Sequence, residues 1–209
     1  LKEELRTESN SFILDNYFFS IYATTNKMAF AVYDIEAKLF IKEYIVNDND
    51  SIAFKNTPVI KSNGRRTKTK EPRNSAKFFR DIVNSNSGIS AYKQNDLFVV
   101  SIGGSEKEQV GGFAIVGGIL GGALGAALLS AFDSYDLSTS KKIDCLFDEN
   151  FNHIQGEVPE NGFDRIKAFM NGHKMNNVPL QTIFKYKEHY IWGFYNRNTG
   201  IYKFLKFQG

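Results

Sequence analysis

Val110–Phe132 reads VGGFAIVGGILGGALGAALLSAF, an apolar, glycine-dense run inside an otherwise polar chain. It carries no charge, and Ser130 is its one hydroxyl. As an α-helix it would be about 34 Å long at 1.5 Å per residue, against a bilayer core of about 30 Å. In water it is a poor helix, because each glycine costs about 1 kcal/mol relative to alanine. A bilayer, which forces internal backbone hydrogen bonding, or tight burial would have to offset that cost. No polar face exists, which argues against a helix lying in the membrane interface.

On a helical wheel Gly117, Gly118, Gly121, Gly122 and Gly125 share one face with Ala114, and bulky aliphatic residues occupy the other. Gly117, Gly121 and Gly125 form one small-xxx-small row, and Ala114, Gly118, Gly122 and Ala126 form a second. Such rows let helix backbones approach closely in lipid. The run resembles the glycine-zipper segments of bacterial cell-envelope proteins. That resemblance covers residues 110–132 only and implies membrane association and self-packing, with no chemistry attached. Three arrangements stay open: one transmembrane helix, a helical hairpin folded at Gly121–Gly122, or a helix or loop buried in the protein. Lys107 before the run and Lys141 and Lys142 after it would put the C-terminal side in the cytoplasm by the positive-inside rule.

The other residues of the 209-residue chain have the composition of a folded protein of one domain or two small ones, 42% hydrophobic and 23% charged. Nineteen Phe and ten Tyr against one Trp favour pleated, half-buried strands. A net charge of +3 does not by itself call for a nucleic-acid partner. The single cysteine, Cys145, allows no internal disulfide. A start at Leu1 rather than Met is what loss of an N-terminal segment would leave, a cleaved signal peptide being one explanation.

Hydrophobic alternation predicts strands at Tyr17–Ala23, Met28–Tyr33 and Leu39–Val46, and hairpins at Ile89–Ile102 and at Ile143–Phe147 with Phe151–Val158. It also predicts C-terminal strands at Thr182–Tyr186, Tyr190–Tyr195 and Ile201–Phe207. Leu1–Asn10 reads as frayed or helical, and Lys61–Asn74 as a polar loop. Amphipathic helices are expected at Ser75–Asn84, with Phe78, Phe79, Ile82 and Val83 on one stripe, and at Gly162–Asn171 before Gly172. An aromatic residue followed by Asp or Asn recurs at Tyr33–Asp34, Phe147–Asp148 and Tyr195–Asn196. A propeller repeat would show this echo, and so would any set of antiparallel hairpins.

The sequence offers little catalytic chemistry. His153, His173 and His189 lie at no metal-ligand spacing, and no cofactor motif is present. Asp144, Cys145 and His153 make a formal nucleophile set, although a lone strand cysteine is more often packing. The basic stretch Arg65, Arg66, Lys68, Lys70 and Arg73, together with Lys61, is a candidate for binding an anionic surface. No aromatics interleave with it, which speaks against nucleic acid.

The resulting expectation is an α+β protein of antiparallel hairpins, two short amphipathic helices and one glycine-rich hydrophobic helix. Its parts are a β-rich stretch 1–102 with a basic loop 61–74, the helix 110–132, and a β-rich stretch 143–209 that could share a sheet with the first. The expected function is a non-enzymatic, membrane-associated envelope protein that assembles through its glycine-zipper helix, either as a homo-oligomer or as a subunit of a membrane complex. Two alternatives stand beside it: a soluble ligand-binding or enzymatic domain burying that helix, and a membrane-permeabilising effector. Similar hairpins on both sides of the run are awkward for a single span.

Overall fold

The computed structural model describes residues 6–63, 66–72, 74–94, 96–105, 139–175, 178–187 and 189–208. Residues 110–132, with the small-residue rows through Ala114, Gly117, Gly118, Gly121, Gly122, Gly125 and Ala126, lie outside them.

Strands β1 (Thr7–Leu14), β2 (Tyr17–Thr24), β3 (Lys27–Asp34) and β4 (Leu39–Asn47) form an antiparallel meander, sheet A. Alternation sends Phe19, Ile21 and Ala23 of β2 and Met28, Phe30 and Val32 of β3 inward. The turns carry side-chain acceptors: Thr24 Oγ1 takes the amides of Asn26 (3.2 Å) and Lys27 (3.0 Å), and Asp34 Oδ1 takes that of Ala37 at 2.8 Å.

Sheet B has the order β6-β5-β9-β8-β7, from β5 (Val59–Asn63), β6 (Arg66–Lys70), β7 (Asn86–Gln94), β8 (Leu97–Ser105) and β9 (Thr139–Phe147). Its inward residues, among them Ile89, Val100, Ile102, Ile143 and Phe147, meet the inward face of sheet A. Phe30 lies 5.5 Å from Phe147 and 6.1 Å from Phe54, ring centre to ring centre, and Phe98 lies 4.6 Å from Phe151. Helix α1 (Ala76–Val83) closes one end by burying its predicted stripe. Gly104 admits it, since a side chain there would strike Ser85 and the Ile82 backbone.

Strands β10 (Thr182–Tyr186), β11 (His189–Asn196) and β12 (Ile201–Gln208) form sheet C. Helix α2 (Gly162–Gly172) covers one face of it with Ile166 and Met170 against Ile183, Trp192 and Phe194, a second and smaller core. The aromatic–Asx echo is a local turn device. Like Asp34, Asp148 Oδ1 accepts the amides of Asn150 (2.9 Å) and Asn152 (2.8 Å), and Asn196 Oδ1 accepts that of Asn198 at 3.0 Å.

The architecture corrects the expected α+β class to mainly β: twelve strands in three antiparallel sheets, with helices of only 8 and 11 residues among the described residues. Within Leu1–Asn10, expected to be frayed or helical, Thr7–Asn10 belongs to strand β1, and the polar stretch after Val59 is a hairpin rather than a loop. Both were hidden because their polar residues leave no apolar alternation. Phe151–Val158 is coil touching β9 through one Phe147–His153 bridge.

The expected envelope function is corrected too. Among the described residues no helix is long and apolar enough to cross a membrane. Strands β8 and β9 pair from Phe98↔Phe147 to Ser105↔Ser140, so the chain leaves and re-enters sheet B at the same end. One span with the two halves of the chain on opposite sides of a bilayer would tear that sheet apart. The envelope reading and the membrane-permeabilising alternative gave the working role to a long glycine-rich helix, and the soluble alternative buried that helix in its own core. The described cores are instead closed by strands and two short helices.

Truncating the shared core should be costly and truncating an exposed ring should not. In urea unfolding, Phe147→Ala should lose about 3–5 kcal/mol, whereas Phe40→Ala should change stability by about 0.5 kcal/mol or less.

Candidate functional site

The formal nucleophile set does not assemble. Asp144 and Cys145 are neighbours on β9 and therefore face opposite sides of sheet B. Cys145 is buried among the inter-sheet aromatics, and that burial pushes its thiol pKa up, away from the thiolate a nucleophile needs. His153 Nε2 lies 3.1 Å from Asn56 Oδ1, and its backbone amide donates to the Tyr44 hydroxyl at 3.0 Å. The histidine is thus part of a loop clasp in which Asn56 Oδ1 also accepts the Leu146 amide (2.7 Å) and Asn56 Nδ2 donates to the Ile154 carbonyl (2.8 Å).

Asp144 belongs to a polar cluster on the outer face of sheet B. Its Oδ1 accepts from the Ser101 hydroxyl and, at 2.9 Å, from the Lys142 ammonium. Its backbone amide donates to Thr57 Oγ1 at 2.9 Å, and its carbonyl accepts from Asn56 N at 2.8 Å. Ser101 and Asp144 are both buried. A serine beside a lysine suggests acyl chemistry, but this hydroxyl donates to a carboxylate already engaged by a cation. The cluster pins β8, β9 and the 56–57 strap together. Nearby, the half-buried Tyr92 hydroxyl donates to the Pro159 carbonyl at 3.2 Å, and desolvation raises its pKa so that it stays protonated.

Among the described residues no group of three or more His, Cys, Asp or Glu could hold a metal ion. His173 Nδ1 sits 2.9 Å from the Phe169 carbonyl, with its ring stacked on Phe169.

The basic stretch is better ordered than its composition suggested. Strand β6, RTKTK, puts Arg66, Lys68 and Lys70 at alternate positions on the edge of sheet B. Register sets Lys61 of β5 opposite Lys68 on one side and opposite Lys141 of β9 on the other. Three lysines thus form one row across three strands, with Lys70 two positions from Lys68. The two acids nearby are engaged: Glu71 with Lys55 at 2.6 Å and Asp81 with Lys141 at 2.6 Å. Lys61, Lys68 and Lys70 are exposed. Arg65 and Arg73 lie outside the described residues, as does the side chain of Arg66. Lys61 was in the sequence-level stretch, but only the register reveals it as the centre of the row. The alternation R-T-K-T-K was the available signal for a strand.

Two exposed apolar faces had no counterpart among the predicted sites. On sheet A, register aligns Ile13, Phe18, Tyr33 and Phe40 in one row across four strands. On the open face of sheet C, Tyr202 and Phe204 lean over Gly193, where a Cβ would collide with both rings. Phe184 and Tyr186 of β10 are exposed on the same face. Comparison of the chain with protein-family models, with curated proteins and with solved structures finds no match.

Burial lowers the His153 pKa below its ordinary 6.5. The unfolded chain therefore binds this proton more readily than the folded one. The stability from neutral His153 is complete above the unfolded value and is lost as pH falls through the folded pKa. Urea midpoints should drop between about pH 7.5 and about pH 5.5, and His153→Gln should flatten that slope. An unchanged slope would mean the ring titrates freely.

Proposed function

We propose that this chain is a binding module for a polyanion, a polymer or surface bearing closely spaced phosphate, sulfate or carboxylate groups, which it holds on the β5–β6 hairpin. The observation that carries the reading is the register that places Lys61 directly between Lys68 and Lys141. Like charges directly opposite one another in an antiparallel pair cost roughly 0.2–1 kcal/mol. Lysine on an edge strand such as β6 has a simpler use, since it keeps foreign strands from pairing there. That use needs outward charge on β6 alone. It does not need a lysine on the interior strand β5, where repulsion is greatest.

An anion bridging Lys61 and Lys68 turns this repulsion into attraction, and Lys70 extends the contact along β6. Glu71 is paired with Lys55 and Asp81 with Lys141, so Asp81 offsets the Lys141 end of the row and the positive charge of the hairpin rests on Lys61, Lys68 and Lys70. A flat two-stranded ribbon fits an extended, repeating ligand better than a small molecule in a pocket.

Fluorescence anisotropy with labelled long-chain polyphosphate, and retention on immobilised heparin, test the reading. Binding should be measurable at about 50 mM salt and largely lost by about 500 mM, where charges several ångströms apart are screened. The double variant Lys61→Glu/Lys68→Glu should weaken binding at least tenfold, about 1.4 kcal/mol. Lys27→Glu, an exposed charge on sheet A, should leave it unchanged. Equal binding by the double variant and the wild type, or none at low salt, would overturn the proposal. Retention on heparin without polyphosphate binding would restrict the ligand to sulfate- or carboxylate-bearing polymers.

A further inference from the structure

We infer that the ligand of the basic hairpin is an extended acidic peptide, which adds to sheet B as one more strand along the outer edge of β6 and sets a carboxylate at every second position against Lys68 and Lys70. The inference rests on the polyanion reading of that hairpin and narrows it to one partner chemistry. Strand β6 pairs with β5 on one side, and no described strand lies on the other. On such an edge alternate main-chain amides and carbonyls point away from the neighbouring strand, where a further strand can meet them.

The edge is shaped for pairing. Its five residues hold an unshifted register with β5, from Val59↔Lys70 to Asn63↔Arg66, so no bulge twists it out of the sheet. No proline interrupts RTKTK, and Pro72 two residues beyond bounds the edge that a ligand strand can use. Thr67 and Thr69 supply β-branched residues between the cations. Lys68, Thr69 and Lys70 are exposed. Glu71, next after the strand, is held by Lys55 at 2.6 Å, which anchors that end of the edge.

The charge pattern decides which strand the edge accepts. Neither β5 nor β6 contains an acid. Of the described edge strands, β1, β4, β6, β7, β10 and β12, only β6 has basic residues at successive alternate positions, 66, 68 and 70. Neighbouring strands lie about 4.8 Å apart, and alternate residues of one strand about 7 Å apart. The row Lys141–Lys61–Lys68 therefore has its next place on a strand beyond β6. A carboxylate there meets Lys68 as an oppositely charged cross-strand pair, and another two residues along meets Lys70. An apolar strand would press hydrocarbon on ammonium groups, and a second β6 in register would oppose lysine to lysine. The lysines that bar those strands admit an acidic one. A phosphate or sulfate polymer has the charge but lacks peptide groups to pair with the edge. An acidic strand uses both, with main-chain bonds for affinity and alternate side chains for specificity.

Fluorescence anisotropy at about 50 mM salt, with three labelled peptides of equal length and net charge, tests this. One alternates Glu with Thr, one carries the same residues as a Glu block and a Thr block, and one is the alternating sequence with every main-chain amide N-methylated. The alternating peptide should bind at least about tenfold more tightly than the other two, and Lys61→Glu/Lys68→Glu should lose that advantage. In hydrogen exchange followed by NMR, the alternating peptide should slow the outward-facing amides of β6 at least about tenfold, whereas polyphosphate should leave them fast. Equal affinity for all three peptides, or β6 amides that stay fast with the alternating peptide bound, would show a ligand held by charge alone and overturn the inference. Polyphosphate binding without peptide binding would overturn the inference and leave the proposed function standing. Failure of both ligands would overturn both.

Discussion

The fold depends on the pairing of β8 with β9. Strand β9 is contributed from beyond the insertion, yet it occupies the middle of sheet B, between β5 and β8. Closing a loop of about thirty residues costs about 2 kcal/mol more than closing a short hairpin. What offsets it is visible on both faces of β9. Inward, Ile143, Cys145 and Phe147 complete the aromatic layer shared with sheet A. Outward, Asp144 gathers Ser101, Lys142 and the 56–57 strap into one hydrogen-bonded cluster. Without β9, the β5–β6 hairpin would have no sheet to join, and its lysine row would lose the strand that carries Lys141.

Function follows from the edges and open faces that this core leaves. Among the described residues no nucleophile is assembled: the cysteine is sealed in hydrocarbon, His153 is held in a loop clasp, and the buried Ser101 donates to a carboxylate that also accepts from Lys142. Charged and aromatic surfaces are what the molecule displays instead. The hairpin concentrates positive charge at the edge of sheet B. The outer face of sheet A carries the row Ile13, Phe18, Tyr33 and Phe40, and the open face of sheet C carries Tyr202 and Phe204.

Much of this was legible in the sequence wherever a strand is half buried. Alternation located β2, β3, β4, β8 and all of sheet C, and the stripe Phe78, Phe79, Ile82, Val83 located α1. Strands with polar residues on both faces were not legible, because β1 (TESNSFIL) and β6 (RTKTK) give no hydrophobic period to read. Position within a sheet was not legible either. Nothing local to Thr139–Phe147 says that it inserts between β5 and β8, and without that fact Lys61, Lys68 and Lys141 are only three lysines along a chain. The glycine-rich run dominated the first reading by its composition, but the paired strands on either side of it contradict the division a single span requires. Of the anion-binding candidates, Lys68 and Lys70 fall on the exposed edge, and Lys61 gains its importance from register alone.

Native-state hydrogen exchange followed by two-dimensional NMR tests the central position of β9 most directly. If β9 is the interior strand on which both faces depend, the amides of Ile143, Cys145 and Phe147 will exchange in the slowest class, together with those of Val100 and Phe30, through opening that approaches global unfolding. Fast exchange in β9, at rates like those of the exposed β5–β6 hairpin, while Phe30 stays protected, would contradict the account.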